Sequence, residues 1–96
     1  MNGEMVKAVV DTNKNLLAID AELHADLEKL LLENGSDQFN LWGINLYPDD
    51  KLVEFDSMIN IRPTQGNRSR NIEDENIKSK IISIVNNWTK DDWAEY

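Results

Sequence analysis

A helical repeat of leucines, set between stretches typical of β-strands, is the feature that most constrains how this chain can fold. The leucines recur at i, i+4, i+7 and i+8, a spacing that lines one face of an α-helix with apolar side chains. They are Leu23, Leu27, Leu30 and Leu31. Asn34 and Gly35 end the repeat, because glycine adopts the left-handed conformation beyond a helix end without strain. We therefore predict a helix that starts after an N-cap at Asp20 and stops at this glycine.

A second helical stripe lies towards the C-terminus. Its apolar residues recur at i, i+4, i+7, i+8 and i+11. They are Ile77, Ile81, Ile84, Val85 and Trp88. Asp74 is the predicted N-cap, and Glu75 places a negative charge in the first turn, where the helix dipole favours it.

The remaining apolar segments have the composition or the two-residue period of β-strands. Residues 5–10 and Leu16–Ile19 flank a turn rich in Asn and Asp, which is the pattern of a β-hairpin. Residues 39–47 and 52–61 alternate around a proline-containing turn and predict a second hairpin. Pro63 ends the last strand, because proline cannot donate to the hydrogen-bond ladder.

The predicted elements follow the order ββαββα within 96 residues, a length that suits one domain, residues 1–96, with one modest core. The simplest way to bury two helical stripes and one apolar sheet face is a two-layer α+β domain. We therefore predict a four-stranded antiparallel sheet with both helices packed on one face and the other face open. The predicted core is a single cluster of Leu27, Leu31, Trp42, Phe55, Ile59, Ile61, Ile81, Ile84 and Val85. The acidic tail, residues 91–96, either docks on this core or stays mobile.

Composition excludes several classes of function. The chain has no cysteine, which excludes disulfides, thiolate metal sites and a cysteine nucleophile and fits a reducing compartment. Its 18 acidic and 10 basic residues give a formal net charge of −8, which disfavours duplex nucleic acid as a partner. No apolar run has the length of a signal peptide or a membrane span, so we expect a cytoplasmic protein with no membrane partner.

Residues 58–70 concentrate directed hydrogen-bond donors more densely than any other stretch. Arginine presents a planar fork of donors suited to carboxylate or phosphate, and Gly66 lets backbone N–H groups approach a ligand closely. The helix N-terminus just beyond adds positive potential. We therefore predict an anion-binding set of Arg62, Gln65, Asn67, Arg68 and Arg70. His24 and Asn60 are secondary candidates.

A structural role is the alternative for these arginines. In a chain this acidic they can pair with neighbouring carboxylates and hold the loop in place, as ion-pair networks commonly do. The carboxylates close to them in the sequence are Glu54, Asp56, Glu73 and Asp74. Both interpretations stay open at this point.

His24 is the only histidine, and Glu22 and Asp26 lie close to it in the sequence. One histidine cannot build a multi-histidine metal site, and no nucleophile is spaced to it in a known motif. A histidine that is hydrogen-bonded locally at a helix start is the simpler interpretation. The acidic clusters of the chain also miss the spacing of a calcium-binding loop. We therefore predict no metal and no cofactor, and the sequence defines no catalytic residue.

One face of the predicted sheet mixes polar and apolar side chains. Its polar side is formed by Asn45, Glu54, Asp56, Met58, Asn60 and Arg62, and Met5, Val9, Phe39, Leu41 and Tyr47 can share it. Such a mixed face suits a protein partner or a second copy of the chain. An ordinary solvated sheet face is the alternative.

Several segments together resemble a small prokaryotic family of uncharacterised proteins. They read MVKAVVD, AELHADLEKLLLENGS, LWGINLYP, EFDSMINIRP and QGNRSR, and they extend from about residue 3 to residue 88. The resemblance implies no assigned activity. It also implies a further helix before the MVKAVVD strand. If that helix covers the sheet, a chain without it exposes apolar surface.

Three classes of function remain open. The first is a small soluble binding module whose loop, residues 58–70, recognises an anionic ligand or an acidic protein partner. The second is a small enzyme that uses His24 with the arginines on a phosphate- or carboxylate-bearing substrate. The third is a subunit that serves only assembly, for example a homo-oligomer formed through the open sheet face. The first is favoured, because the sequence supplies no nucleophile with a positioned base.

Overall fold

The structure, a computed structural model, describes residues 4–19 and 23–96. Within these residues the chain forms one five-stranded sheet and two α-helices. The elements are β1 (Val6–Asp11), β2 (Leu16–Ile19), α1 (His24–Glu33), β3 (Leu41–Tyr47), β4 (Leu52–Glu54), α2 (Glu75–Thr89) and β5 (Ala94–Glu95). The prediction of a mixed α+β domain with two helices is confirmed. The predicted number of strands, four, is wrong, because the C-terminal tail adds a fifth.

The strands lie in the order β2-β1-β3-β4-β5. Both predicted hairpins form, since β1 pairs antiparallel with β2 and β3 pairs antiparallel with β4. The two hairpins join through an antiparallel pairing of β1 with β3. The last strand, β5, runs parallel to β4, so the sheet is mixed rather than wholly antiparallel.

The two helices pack against opposite faces of the sheet. Ala8 and Val10 belong to one buried cluster with residues of α2, whereas Val9 between them belongs to a second cluster with residues of α1. Successive side chains of a strand point to opposite faces, so this division assigns each helix to its own face. The prediction of both helices on one face is therefore wrong. The physical reason lies in the two inner strands β1 and β3, where consecutive residues are buried, four in β1 and six in β3, so both faces need a cover.

The core is accordingly divided by the sheet. The cluster on the α2 side contains Ala8, Val10, Trp42, Ile44, Leu46, Val53, Phe55, Ile72, Ile81, Ile84, Val85 and Trp93. The cluster on the α1 side contains Val9, Leu27, Leu31 and Leu41, with Leu16, Ala18 and Ile59 packed against it. The predicted core, a single cluster, combined residues that the structure places in these two clusters. Ile61, which it also included, is 39% exposed.

The strand predicted over residues 52–61 ends early, at Glu54. Beyond it the chain crosses the face of β3 at Gly43, where an added Cβ would lie 2.5 Å from the Cβ of Ser57. Only glycine leaves room for this approach. Met58–Asn60 then form a 3₁₀ turn, and Ser57 Oγ accepts a hydrogen bond from the N–H of Ile59 at 3.3 Å.

Asn60 takes the place of the missing strand. Its Oδ1 accepts from the N–H of Gly43 at 2.8 Å, and its Nδ2 donates to the carbonyl of Gly43 at 2.9 Å. The carboxamide thus satisfies the two main-chain groups of β3 that a longer β4 would have paired. Asn60 is completely buried, so this secondary ligand candidate has a structural task.

Two of the three predicted helix-end residues, Asp74 and Gly35, lie inside the described residues. Asp74 caps α2, since its Oδ1 accepts from the N–H groups of Asn76 and Ile77. Gly35 follows α1 with a φ of 95°, the left-handed conformation expected of it. The predicted N-cap of α1, Asp20, lies outside the described residues. Neither described helix combines the length and the apolar character that a membrane span requires.

The C-terminal residues dock on the edge of the sheet. The N–H of Ala94 donates to Lys51 O at 3.0 Å, and the N–H of Tyr96 donates to Val53 O at 2.8 Å. Trp93 is buried beside α2, where its Nε1 donates to Thr89 Oγ1 at 2.8 Å. The docked tail therefore covers the edge that β4 would otherwise expose.

Candidate functional site

Arg62, the first arginine of the predicted anion site, is buried, with 8% of its surface exposed. Its Nε donates to Ile59 O at 3.0 Å, one Nη donates to Gln38 O at 2.8 Å, and the other donates to Leu41 O. The Glu28 carboxylate lies 3.8 Å from the guanidinium. Burial lowers the pKa of Arg62, and the charge of Glu28 opposes that shift. This guanidinium joins the loop to the start of β3 and would have to break these bonds to hold a ligand.

Asn67 has a similar task within the loop. Its Nδ2 donates to Asn60 O at 2.7 Å and to Asn71 O at 2.6 Å, and its Oδ1 accepts from the N–H of Glu73 at 2.8 Å. Gly66 precedes it with a φ of 80°, in the left-handed region that glycine tolerates best. The side chain therefore closes the loop on itself.

The other three members of the predicted set are more accessible. Gln65 is half-buried and donates through Nε2 to Phe39 O at 3.2 Å. Arg68 has an exposed side chain, while its backbone N–H donates to a Glu73 carboxylate oxygen at 2.7 Å. Arg70 is exposed and its Nε donates to Asp56 Oδ1 at 2.7 Å. The structure thus separates one arginine that holds the loop, Arg62, from two that face solvent, and their role in anion binding stays a prediction.

A cleft of about 550 Å³ lies between the start of α1, the strands β1, β3 and β4, and residues 56–59. Its polar lining is formed by Lys7, His24, Asn45, Tyr47, Glu54, Asp56, Ser57 and Arg70. Its apolar lining includes Met5, Leu23, Met58 and Ile59. The cleft brings together two members of the sequence-predicted sets, His24 and Arg70, with the mixed sheet face. Arg62, Gln65, Asn67 and Arg68 do not line it.

His24 is fixed at the first residue of α1. Its Nε2 lies 2.7 Å from Ile44 O, and because a carbonyl oxygen only accepts, Nε2 carries the hydrogen. Burial lowers the pKa of His24, and the bond to Ile44 partly opposes this shift. Lys7 also lowers the pKa, whereas Asp56 and Asn45 raise it. The neutral imidazole therefore offers Nδ1 as a hydrogen-bond acceptor or base.

Asn45 lies on the floor of the cleft and is 4% exposed. Its Nδ2 donates to Glu54 Oε1 at 2.9 Å and to Asp56 O at 3.2 Å. Its Oδ1 is buried and receives no hydrogen bond from any described residue. Tyr47 donates to the same oxygen of Glu54 at 3.0 Å, and burial together with this carboxylate raises the pKa of Tyr47. The cleft floor therefore holds an ordered polar network with one acceptor left over.

The charges of the cleft balance, although the whole chain has a formal net charge of −8. Lys7 and Arg70 are positive, and Glu54 and Asp56 are negative. Among the described residues, no group of three or more His, Asp or Glu side chains could hold a metal ion. The arrangement suits a polar organic ligand.

The family model described as "Protein of unknown function (DUF5674)" matches residues 1–88. The chain belongs to this family. The match confirms the resemblance to an uncharacterised family, and it stops short of β5, so the docked strand lies beyond the residues that DUF5674 covers. No curated protein and no solved structure matches the chain. Because DUF5674 carries no assigned activity, the function has to be argued from the cleft itself.

Lys7 and Tyr47 had no place in the predicted site. The available signal was the strand alternation, which puts Lys7 on the same face as Met5, and the register, which pairs Lys7 with Asn45 across β1 and β3. The sequence could place these residues on a face, but the cleft exists only where α1 crosses that face.

Proposed function

We propose that this protein is a small binding module whose cleft holds a small ligand through an anionic group. The observation that carries the proposal is the meeting of two cationic side chains, Lys7 and Arg70, with the start of α1 around one cleft. Arg70 uses only its Nε in the ion pair with Asp56, and its side chain is 55% exposed. Its remaining N–H groups bond to no described residue and can form charge-assisted hydrogen bonds with carboxylate or phosphate.

The start of α1 strengthens the positive side of the cleft. The N-cap position is occupied by Leu23, whose apolar side chain cannot accept a hydrogen bond from the first-turn N–H groups. These groups and the helix dipole favour an anion nearby. Leu23 and Ala25 line the cleft, so this helix end borders it directly.

The test is an NMR titration of the protein with acetate, phosphate, sulfate and a nucleotide, followed by amide shifts. We expect saturable shifts at cleft residues such as Lys7 and Asn45. Arg70→Gln should weaken binding by about tenfold or more, the effect of losing one charge-assisted hydrogen bond. Arg68→Gln is the matched control, because Arg68 belongs to the same loop but does not line the cleft.

Each variant distinguishes one site from the other. If Arg68→Gln weakens binding and Arg70→Gln does not, the anion binds instead to the exposed part of the loop, where Gln65 also lies. Absence of shifts with every anion would refute the binding function. Light scattering on the same samples tests the remaining prediction of a homo-oligomer.

A second candidate function is catalysis on the bound ligand. The observation that favours it is the fixed imidazole of His24, whose Nε2 hydrogen bond to Ile44 leaves Nδ1 as a base in a side chain that lines the cleft. A ligand found in the titration should then change chemically on incubation with the protein and stay intact with His24→Gln, as followed by mass spectrometry. An unchanged ligand in both samples would reject catalysis.

A further inference from the structure

We propose that the ligand of the cleft is a small zwitterion, with its ammonium group against Asn45 and Glu54 and its anionic group towards Lys7. This inference rests on the proposed function and names the class of ligand. An amino acid with an apolar side chain is the simplest molecule of that class.

The first argument is the unpaired oxygen of Asn45. The orientation of its carboxamide is fixed, because Nδ2 faces two groups that only accept, Glu54 Oε1 at 2.9 Å and Asp56 O at 3.2 Å. Oδ1 is consequently the acceptor without a donor among the described residues. Buried polar groups in folded proteins almost always have a partner. The oxygen is therefore prepared for a donor that enters the cleft.

None of the described side chains donates to this oxygen. The one hydrogen of the neutral His24 ring is used in the bond to Ile44 O. The Tyr47 hydroxyl donates to Glu54, and the Glu54 carboxylate only accepts. An N–H group of a ligand satisfies Asn45 without breaking any of these bonds.

The second argument is the distribution of charge. Arg70 and Asp56 form an ion pair at 2.7 Å and together add no net charge, although the other N–H groups of Arg70 can still donate to the anionic group of the ligand. Among the described residues, Glu54 accepts hydrogen bonds only from the neutral groups of Asn45 and Tyr47, so its negative charge is not compensated by them. Lys7 forms no ion pair with a described residue. The cleft therefore retains one negative and one positive side chain for a ligand to match.

The third argument is the spacing of these two charges. Lys7 pairs with Asn45 across β1 and β3, and Asn45 pairs with Glu54 across β3 and β4. Neighbouring strands lie about 4.8 Å apart, so the two charged side chains start roughly 10 Å apart and converge on a shared neighbour. A compact zwitterion can reach both, and its apolar part can contact Met5 and Leu23, which also line the cleft.

The experiment compares four related probes by amide shifts: leucine, isocaproate, isopentylamine and N-trimethylated leucine. Isocaproate lacks the ammonium group, isopentylamine lacks the carboxylate, and the trimethylated compound keeps both charges but has no N–H donor. We expect leucine to bind at the cleft and each of the other three to bind at least about tenfold more weakly, since each loses a charge-assisted hydrogen bond.

Two variants that each remove one charge test the class of ligand independently of the probe comparison. Glu54→Gln should weaken binding of leucine but leave binding of isocaproate unchanged. Lys7→Gln should weaken binding of both leucine and isocaproate and leave binding of isopentylamine unchanged. Thermal melts confirm that each variant is folded before it is titrated.

The outcomes separate this inference from the proposed function. Equal affinity for leucine and isocaproate would overturn the zwitterion and leave the anion-binding function intact. Equal affinity for leucine and its trimethylated form would show that Asn45 needs no donor, which also overturns it. Binding of phosphate or a nucleotide without binding of leucine would also overturn the zwitterion and leave the anion-binding function intact. Silence of the cleft with every probe would refute both.

Discussion

Asn60, Arg62 and Asn67 direct their side chains to main-chain groups that no helix or strand satisfies. In a segment with little regular structure, each side chain supplies a hydrogen-bond partner that a backbone group would supply in a helix or strand. All three residues are buried. Loops with this much internal bonding carry few free donors. The exposed arginines of this loop are Arg68 and Arg70, so only part of the arginine motif faces solvent.

The first prediction compares the buried arginine with an exposed one. Arg62→Gln should lower the free energy of unfolding by about 3 kcal/mol, because three main-chain carbonyls and Glu28 lose their partner. Arg68→Gln, the control, should change it by less than about 0.5 kcal/mol, as for other exposed positions. Urea denaturation measures both. Equal stability of the two variants would contradict the structural task assigned to Arg62.

At the scale of elements, the C-terminal strand is held by several weak contacts rather than by its length. Only Ala94 and Glu95 pair with β4. Trp93 anchors the segment in the core on the α2 side, and Lys78 on α2 holds Glu95 with an Nζ to carboxylate distance of 3.1 Å. A parallel pairing of two residues is too short to persist alone, so the anchoring tryptophan decides whether the edge of β4 stays covered.

The second prediction tests this anchor with two tryptophans. Trp93 is 8% exposed, whereas Trp88 is 54% exposed. Trp93→Ala should cost roughly 3 kcal/mol of stability through lost burial and the cavity it leaves. Trp88→Ala should cost about 1 kcal/mol, mainly its hydrogen bond to Asn15 O. Thermal or urea unfolding checks the order. Amide exchange at Val53 should accelerate in the first variant alone, and unchanged exchange there would contradict the anchoring role.

At the scale of the whole molecule, stability should depend on pH in two separate windows. Burial lowers the pKa of His24 from its ordinary value of 6.5, so below about pH 6.5 the unfolded chain takes up a proton that the folded chain still refuses. Unfolding is then favoured as the pH falls. Burial alone would raise the pKa of Asp11, but hydrogen bonds from Ser36, Lys14 and Asn13 outweigh it and lower the pKa below 3.8. Its stabilisation is lost only at more acidic pH.

The third prediction follows from the first of these windows. Wild-type protein should lose stability as the pH falls below about 6.5, and His24→Gln should remove most of that slope, because glutamine does not titrate. Urea denaturation at several pH values measures the slope. The acid limb below about pH 4 should remain in the variant, since Asp11 is unchanged. An identical slope in both proteins would mean that His24 is not desolvated.

Many residues of the candidate site could be predicted individually from the sequence. His24 and Arg70 were candidates from their chemistry, and strand alternation assigned Asn45, Glu54 and Asp56 to one sheet face. Their meeting in one cleft could not be anticipated, because it depends on α1 crossing that face. Three paired strands, one helix and the chain after β4 bring together residues from positions 5 to 70. No local pattern encodes such a distance.

The sequence by itself determined the elements whose causes are local. Helical stripes, the Asp74 cap, Gly35 and the two hairpin turns act within a few residues, so their periodicity or chemistry is enough to predict them. The tertiary structure alone decided which sheet face each helix covers, where β4 ends and what the tail becomes. Those outcomes depend on contacts between distant residues, as when Gly43 admits Ser57 and Asn60 replaces a strand. Burial is a property of the assembled chain, and only the tertiary structure placed the Arg62 side chain among main-chain carbonyls, while its role in anion binding stays a prediction.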